Sequence, residues 1–271
     1  MPNGYRRAMS APEVIRAPGI KILAMSAAGF GVVVPPTPTT AAQLFAAHPE
    51  VVAAIDGPMF SICPGQPSDY AAYQCGRVNF TLLDRGRGVA QDARQANLSN
   101  GVTFSLVGSN LLAARGAGVA PGATVAVQTF PGLVEDGQIA VGQPASGPNT
   151  ETTGRIAMGI LRDGRMFFAY GRLPMHQFAV SLRDAGAVWA GYTDGGGSSS
   201  LVQRMADGSL VGSDADDPRG RRVPSWVVWS PPRQGAGQRG LAQQTSYAVP
   251  MLILAGAVTA AILIARRRRR R

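Results

Sequence analysis

The sequence predicts an α+β fold: a strand-rich, mixed-sheet domain with two or more short helices, followed by one C-terminal transmembrane helix. Three observations carry this. Short apolar runs rich in β-branched residues recur between Gly, Pro and Asp turns, two stretches repeat apolar residues at helical spacing, and one uncharged stretch near the end is long enough to span a bilayer. With 271 residues, 45% of them hydrophobic, one domain with a substantial core fits the chain. The 34 glycines and 20 prolines indicate a loop-rich folded protein rather than a low-complexity one.

Charge narrows the function. The chain carries +10, but Arg266 to Arg271 account for six of those charges, leaving +4 on everything before them. The basicity belongs mostly to a tail, so no nucleic-acid partner is expected. Ala248 to Ala265 contains no charge, and its 18 residues make a helix of about 27 Å, close to the roughly 30 Å hydrocarbon thickness. Tyr247 sits at one interface and the arginines at the other, and the positive-inside rule places the arginines in the cytoplasm. The expected topology is a single-pass membrane protein whose domain lies outside the cytoplasm, with the bilayer as a partner.

The boundaries follow: 1–17 a flexible N-terminus, 18–231 the folded domain, 232–246 a linker rich in Gln and Gly, 247–265 the span, and 266–271 the basic tail. Ile22 to Val34 follows basic residues, as the core of a signal peptide does. Gly29 and Gly31 interrupt it, and it reads instead as two strands joined near Ala27 to Gly29. Thr39 to His48 reads as a helix facing the core with Leu44 and Phe45, stopped by Pro49. Val51 to Ile55 reads as a buried strand delivering Asp56-Gly57-Pro58-Met59-Phe60 at its end. Further strands are expected at Gly101 to Val107, Thr124 to Thr129, Arg155 to Leu161, Met166 to Tyr170, Val188 to Thr193, Ser199 to Met205 and Ser225 to Trp229. A second helix, Met175 to Ala185, places Met175, Phe178 and Leu182 on one stripe and is closed by Gly186.

Cys63 and Cys75 flank Pro64-Gly65-Gln66-Pro67-Ser68-Asp69, which reads as an exposed loop. A disulfide between them would close a loop of about a dozen residues, contributing on the order of 3 kcal/mol, and suits an oxidising compartment. Without neighbouring histidines or a second cysteine pair, no metal site is expected there.

The densest chemical signal is Tyr192-Thr193-Asp194-Gly195-Gly196-Gly197-Ser198-Ser199-Ser200. Successive glycines let the backbone approach a ligand closely, and consecutive N–H groups can form a nest for an anion, with Asp194 at its lip. Asp56-Gly57 also ends a strand and Arg155 opens another, so two carboxylates and a guanidinium stand at strand ends, where clefts are commonly lined.

Together with Pro131-Gly132-Leu133-Val134-Glu135-Asp136-Gly137, the Arg155-Ile156-Ala157-Met158-Gly159 element and the late Arg222, the sequence resembles the phosphodiester glycosidase family across residues 18 to 230 in unbroken order. Asp56, Met59, Ile156 and Tyr192 depart from that family's usual Asn, aromatic, Thr and Asn. The resemblance implies hydrolysis of a sugar joined through its anomeric carbon to a phosphodiester, as in a phosphoglycan. It points to Asp194, Arg155 and Asp56 as catalytic residues and to Gly57, Phe60, Gly195, Gly196, Gly197, Ser198, Ser199 and Arg222 as substrate-binding residues. Phosphate leaves as a stable anion, so one carboxylate and an anion clamp suffice in place of the usual acid and base pair. No cofactor and no metal is expected, although a divalent ion at Asp56 and Asp194 stays open. A binding module on the same scaffold that holds phosphoglycans with little turnover is the competing expectation, motivated by Asp56 and Tyr192.

Overall fold

The computed structural model describes residues 11–58, 82–90, 100–142, 148–196, 199–212 and 222–232. In chain order these form β1 (Glu13–Ala17), β2 (Ile20–Met25), β3 (Phe30–Val33), α1 (Ala41–Ala47) and β4 (Ala53–Asp56). There follow β5 (Leu82–Asp84), β6 (Arg87–Ala90), β7 (Val102–Val107), β8 (Asn110–Arg115), β9 (Val125–Thr129), β10 (Gly132–Glu135) and β11 (Gln138–Ile139). The last group is β12 (Thr153–Leu161), β13 (Met166–Leu173), α2 (Met175–Asp184), β14 (Ala187–Gly195), β15 (Leu201–Arg204), β16 (Leu210–Gly212) and β17 (Trp226–Trp229). The domain is strand-rich with two α-helices among the described residues, as the sequence predicts.

The strands build three sheets: a seven-stranded one in the order β1-β2-β13-β12-β14-β10-β11, a five-stranded one in the order β16-β15-β4-β17-β3, and a second five-stranded one in the order β6-β5-β9-β7-β8. Every ladder among the described residues is antiparallel, which corrects the expectation of mixed sheets. Tight turns such as Pro18-Gly19 and Asp163-Gly164 join neighbouring strands directly, whereas a parallel pair needs a crossover of a dozen or more residues.

Alternation along the strands explains the layering. On β12, Ile156, Met158 and Ile160 enter a central core with Leu23 and Met25 of β2 and Phe168 of β13. The intervening Ala157 and Leu161 join Ile22, Phe167 and the α2 residues Phe178 and Leu182 on the opposite face. The central core also takes Ile55, Val227 and Trp229 from the first five-stranded sheet and Phe104 and Val127 from the second. The outer face of the first five-stranded sheet packs Ala54, Trp226 and Val228 against Leu44 and Phe45 of α1. Trp226 and Trp229, at odd spacing on β17, thus serve opposite faces. Their indole N–H groups donate to Thr39 Oγ1 at 3.0 Å and to the Ser26 carbonyl at 2.7 Å.

Helix α1 begins on a capping box: the Thr40 hydroxyl accepts from the Gln43 N–H, and the Gln43 side chain accepts from the Thr40 N–H. The run Ile22 to Val34 forms β2 and β3 around a short 3-10 turn at Ala27–Gly29, with each strand entering a different sheet. The boundary expected at residue 18 needs correction. Residues 13 to 17, read as a flexible end, form β1, because Pro18-Gly19 turns the chain back and pairs Val14 with Leu23 and Arg16 with Lys21.

The described residues all belong to the unit that ends at Pro232. Among them no helix is long and apolar enough to cross a membrane. The expected span 247–265, the basic tail, and the expected Cys63–Cys75 bridge lie outside the described residues.

Candidate functional site

Two rims of strand ends carry the residues singled out by the sequence. On the first five-stranded sheet, antiparallel pairing sets the end of β4 beside the beginnings of β15 and β17. Asp56, the last residue of β4, is fully buried. Its Oδ2 accepts from the Ser200 N–H at 3.1 Å, and its own N–H donates to the Ser200 carbonyl at 3.4 Å. Gly57 donates its N–H to the Ser225 carbonyl at 2.8 Å. A Cβ on Gly57 would stand 2.1 Å from Ser225 Oγ, so only glycine fits beneath that hydroxyl. Ser225 was not legible as a site residue; the one hint was its place just before a Trp-rich strand.

On the seven-stranded sheet, the start of β12 lies against the end of β14. The sequence places Asp194 and Gly195 in a loop after the strand. In the structure β14 runs on through both, because β12 begins early enough to pair Arg155 with Gly195 and Ile156 with Asp194. The register then slips, and Ala157 stands opposite Tyr192. Thr193 is the extra residue of this bulge. The slip turns Asp194 onto the face of Ile156, toward the central core, while Tyr192 shares the face of Ala157, toward α2.

Arg155 is 3% exposed. Its guanidinium donates from Nε to the Leu173 carbonyl, from Nη2 to the Glu151 carbonyl and from Nη1 to the Tyr192 hydroxyl, each at 3.3 Å. The guanidinium carbon also lies 5.7 Å from the centre of the Tyr192 ring. Burial pushes the Tyr192 hydroxyl up to about 12, reinforced by the Asp194 charge and opposed by the Arg155 charge and hydrogen bond. Asp194 is 7% exposed and its Oδ1 accepts from the Gly195 N–H at 2.7 Å. The first N–H of the expected anion nest therefore serves the neighbouring carboxylate.

Gly196 follows β14 on one rim, and Ser199 precedes β15 on the other. Gly196 adopts φ +81°, and its carbonyl accepts from the Ser199 N–H at 3.4 Å. Ser199 packs over the start of β12, where a Cβ on Gly154 would approach the Ser199 Cβ to 3.1 Å. A chain of contacts thus runs from Asp56 through Ser200 and Ser199 to Gly154, next to Arg155. Arg155, Tyr192 and Gly195 come together on one face of the sheet, with Asp194 next to Gly195 on the other; Asp56 belongs to the adjoining rim with Gly57, Ser200 and Ser225. The hydroxyls of Thr193, Ser199 and Ser225 are buried with no hydrogen-bond partner among the described residues.

Arg222 lies exposed just before Val223, which bridges to Thr39. Phe60, Gly197 and Ser198 lie outside the described residues. The Pro131–Gly137 element forms the β10–β11 hairpin beside β14, a buttress for the strand that carries Asp194. His176 Nδ1 lies 3.1 Å from the Val141 carbonyl. A groove of about 820 Å³ lined by residues including Val33, Leu44, His48 and Arg85 lies apart from both rims. No group of metal ligands is found among the described residues.

A buried guanidinium and a carboxylate on paired strands, next to a glycine turn, can bind an anion and supply a base at its edge. The fold is similar to the catalytic domain of zebrafish N-acetylglucosamine-1-phosphodiester alpha-N-acetylglucosaminidase, auto-inhibited by its pro-peptide, at 17% identity and a TM-score of 0.57 over 79% of this chain and 76% of that one. It is also similar to a hypothetical protein from Synechocystis at 12% identity and a TM-score of 0.50, over 81% of this chain and 61% of that one. No curated protein sequence matches the chain. The sequence model of phosphodiester glycosidases matches residues 49–229, which takes in both rims, and the chain accordingly belongs to the phosphodiester glycosidase family.

Proposed function

We propose that the protein hydrolyses the bond between a sugar's anomeric carbon and the phosphate of a sugar-1-phosphodiester. The observation that carries this reading is the buried Arg155 guanidinium on the strand next to Asp194, at the mouth of a glycine turn, in a member of this family. Arg155 would hold phosphate oxygens through its planar fork. Asp56 is a buried acceptor on the adjoining rim. A carboxylate repels phosphate and accepts from hydroxyls, so the phosphate belongs at Arg155 and the sugar toward Asp56.

Water attacks the anomeric carbon, the bond from that carbon to the phosphate oxygen breaks, and its electron pair leaves on the phosphate monoester. Asp194 takes the water's proton, or attacks first and is released by water in a second step. Because Arg155 and Asp194 sit on opposite faces of the sheet, the substrate would lie across the strand ends, within reach of both faces. The similar zebrafish enzyme supports an N-acetylglucosamine-1-phosphodiester as the first substrate to test.

The experiment is sugar release by the full chain from that diester. Turnover by wild type, lost in Asp194→Asn at an unchanged melting temperature, supports the enzyme. Binding without turnover replaces it with the phosphoglycan-binding reading that Asp56 and Tyr192 motivate. The same proposal tethers the domain outside the cytoplasm through residues 247–265. Labelling of Cys63 and Cys75 from outside intact cells after reduction supports that orientation, and their protection reverses it.

A further inference from the structure

We propose that Tyr192 is a positioning residue that holds the Arg155 guanidinium ready for an anion, and that Gly195 is glycine because the Tyr192 hydroxyl fills the space above it. The inference rests on the reading that Arg155 meets the substrate phosphate. Of the three acceptors around the guanidinium given above, two are backbone carbonyls and Tyr192 supplies the side chain. The phenol acts twice, accepting from Nη1 through its oxygen and lying under the guanidinium through its ring.

Tyr192 is itself fixed. Its N–H donates to the Pro131 carbonyl at 3.0 Å, its carbonyl accepts from the Phe130 N–H at 2.9 Å, and the residue is 6% exposed. A Cβ on Gly195 would lie 1.6 Å from the Tyr192 hydroxyl oxygen and 2.7 Å from the ring carbon that bears it. No side chain at 195 is compatible with the phenol where it stands. The first glycine of the motif, at the end of β14 and without a positive φ, is therefore tied to this tyrosine by space.

The choice of a phenol has an electrostatic consequence. A carboxylate in the same place would also orient Arg155, but it would cancel the guanidinium's charge and weaken its hold on phosphate. A phenol that stays protonated at neutral pH orients without cancelling. Tyr192 thus orients the fork without setting a further negative charge against it.

The test measures inorganic phosphate affinity, sugar-diester turnover and melting temperature for wild type, Tyr192→Phe, Gly195→Ala and the double variant. Removing a hydrogen bond to a charged group predicts a loss of phosphate affinity of roughly tenfold to a hundredfold in Tyr192→Phe. The retained ring should keep the melting temperature within a few degrees of wild type. Gly195→Ala displaces the phenol, so it should reproduce the loss, and the double variant should be no worse than Gly195→Ala alone. Wild-type phosphate affinity in Tyr192→Phe, losses that multiply in the double variant, or a wild type that binds no phosphate each overturn the inference. A wild type that binds phosphate with this dependence but releases no sugar refutes the hydrolase reading and leaves the role of Tyr192 standing.

Discussion

Gly57→Ala is the sharpest probe of the rim that carries Asp56. The new methyl would lie 2.1 Å from Ser225 Oγ and 2.9 Å from both the Ser225 Cβ and its carbonyl oxygen, while the Gly57 N–H is tied to that same carbonyl. Overpacking of this kind costs about 1–3 kcal/mol. Gly57 does not have a positive φ, so alanine also removes some unfolded-chain entropy and returns about 0.4–1 kcal/mol. The net expectation is a loss of about 1–2 kcal/mol, or a fall in melting temperature of roughly 2–8 °C for a domain of this size. Ser225→Ala should move the other way, since its hydroxyl is buried with no partner among the described residues, and removing such a group relieves about 1 kcal/mol. In the Ser225→Ala chain the closest clash is gone, so Gly57→Ala should cost at least about 1 kcal/mol less there than in wild type. Urea unfolding of the four chains measures this. Costs that add to within about 0.5 kcal/mol would refute the packing argument.

Three further outcomes follow from the same geometry. Trp229→Ala should destabilise by about 3–5 kcal/mol in urea unfolding, because it empties part of the central core and removes the donor to the Ser26 carbonyl. Thr40→Ala should cost about 1 kcal/mol by removing one half of the α1 capping box, with the loss visible in thermal unfolding. Tyr192 is raised from 10.0 to about 12 in the folded chain, so the neutral phenol's contribution is complete below pH 10 and declines as pH rises through about 12. The stability difference between wild type and Tyr192→Phe should accordingly shift by about 2–3 kcal/mol against wild type between pH 9 and pH 12, and a constant difference would show that Tyr192 is not buried as described.

Much of the fold was legible locally. The strands β4, β7, β9, β12, β13 and β17 and both helices fall within a few residues of where periodicity and turn residues put them, because each has a buried face and punctuation at its ends. The strands β5, β6, β8, β10, β11 and β16 were not read out. Several are short, and β8 and β16 expose apolar residues such as Leu112, Leu210 and Val211, so their patterns carry no clear period.

The amino-acid sequence by itself determined which groups stand at strand ends: Asp56 after an apolar run, Arg155 at the head of another, and Asp194 before three glycines. Hydrophobic alternation and glycine punctuation are properties of a few adjacent residues, so they survive without the rest of the chain. Only the tertiary structure decided which faces those groups share. The slip at Thr193 separates Asp194 from Tyr192, the ladder between β12 and β14 brings Tyr192 to Arg155, and the Tyr192 hydroxyl claims the space that keeps residue 195 a glycine. Register is set by pairing between strands distant in sequence, and a shift of one residue reverses the direction of every side chain beyond it.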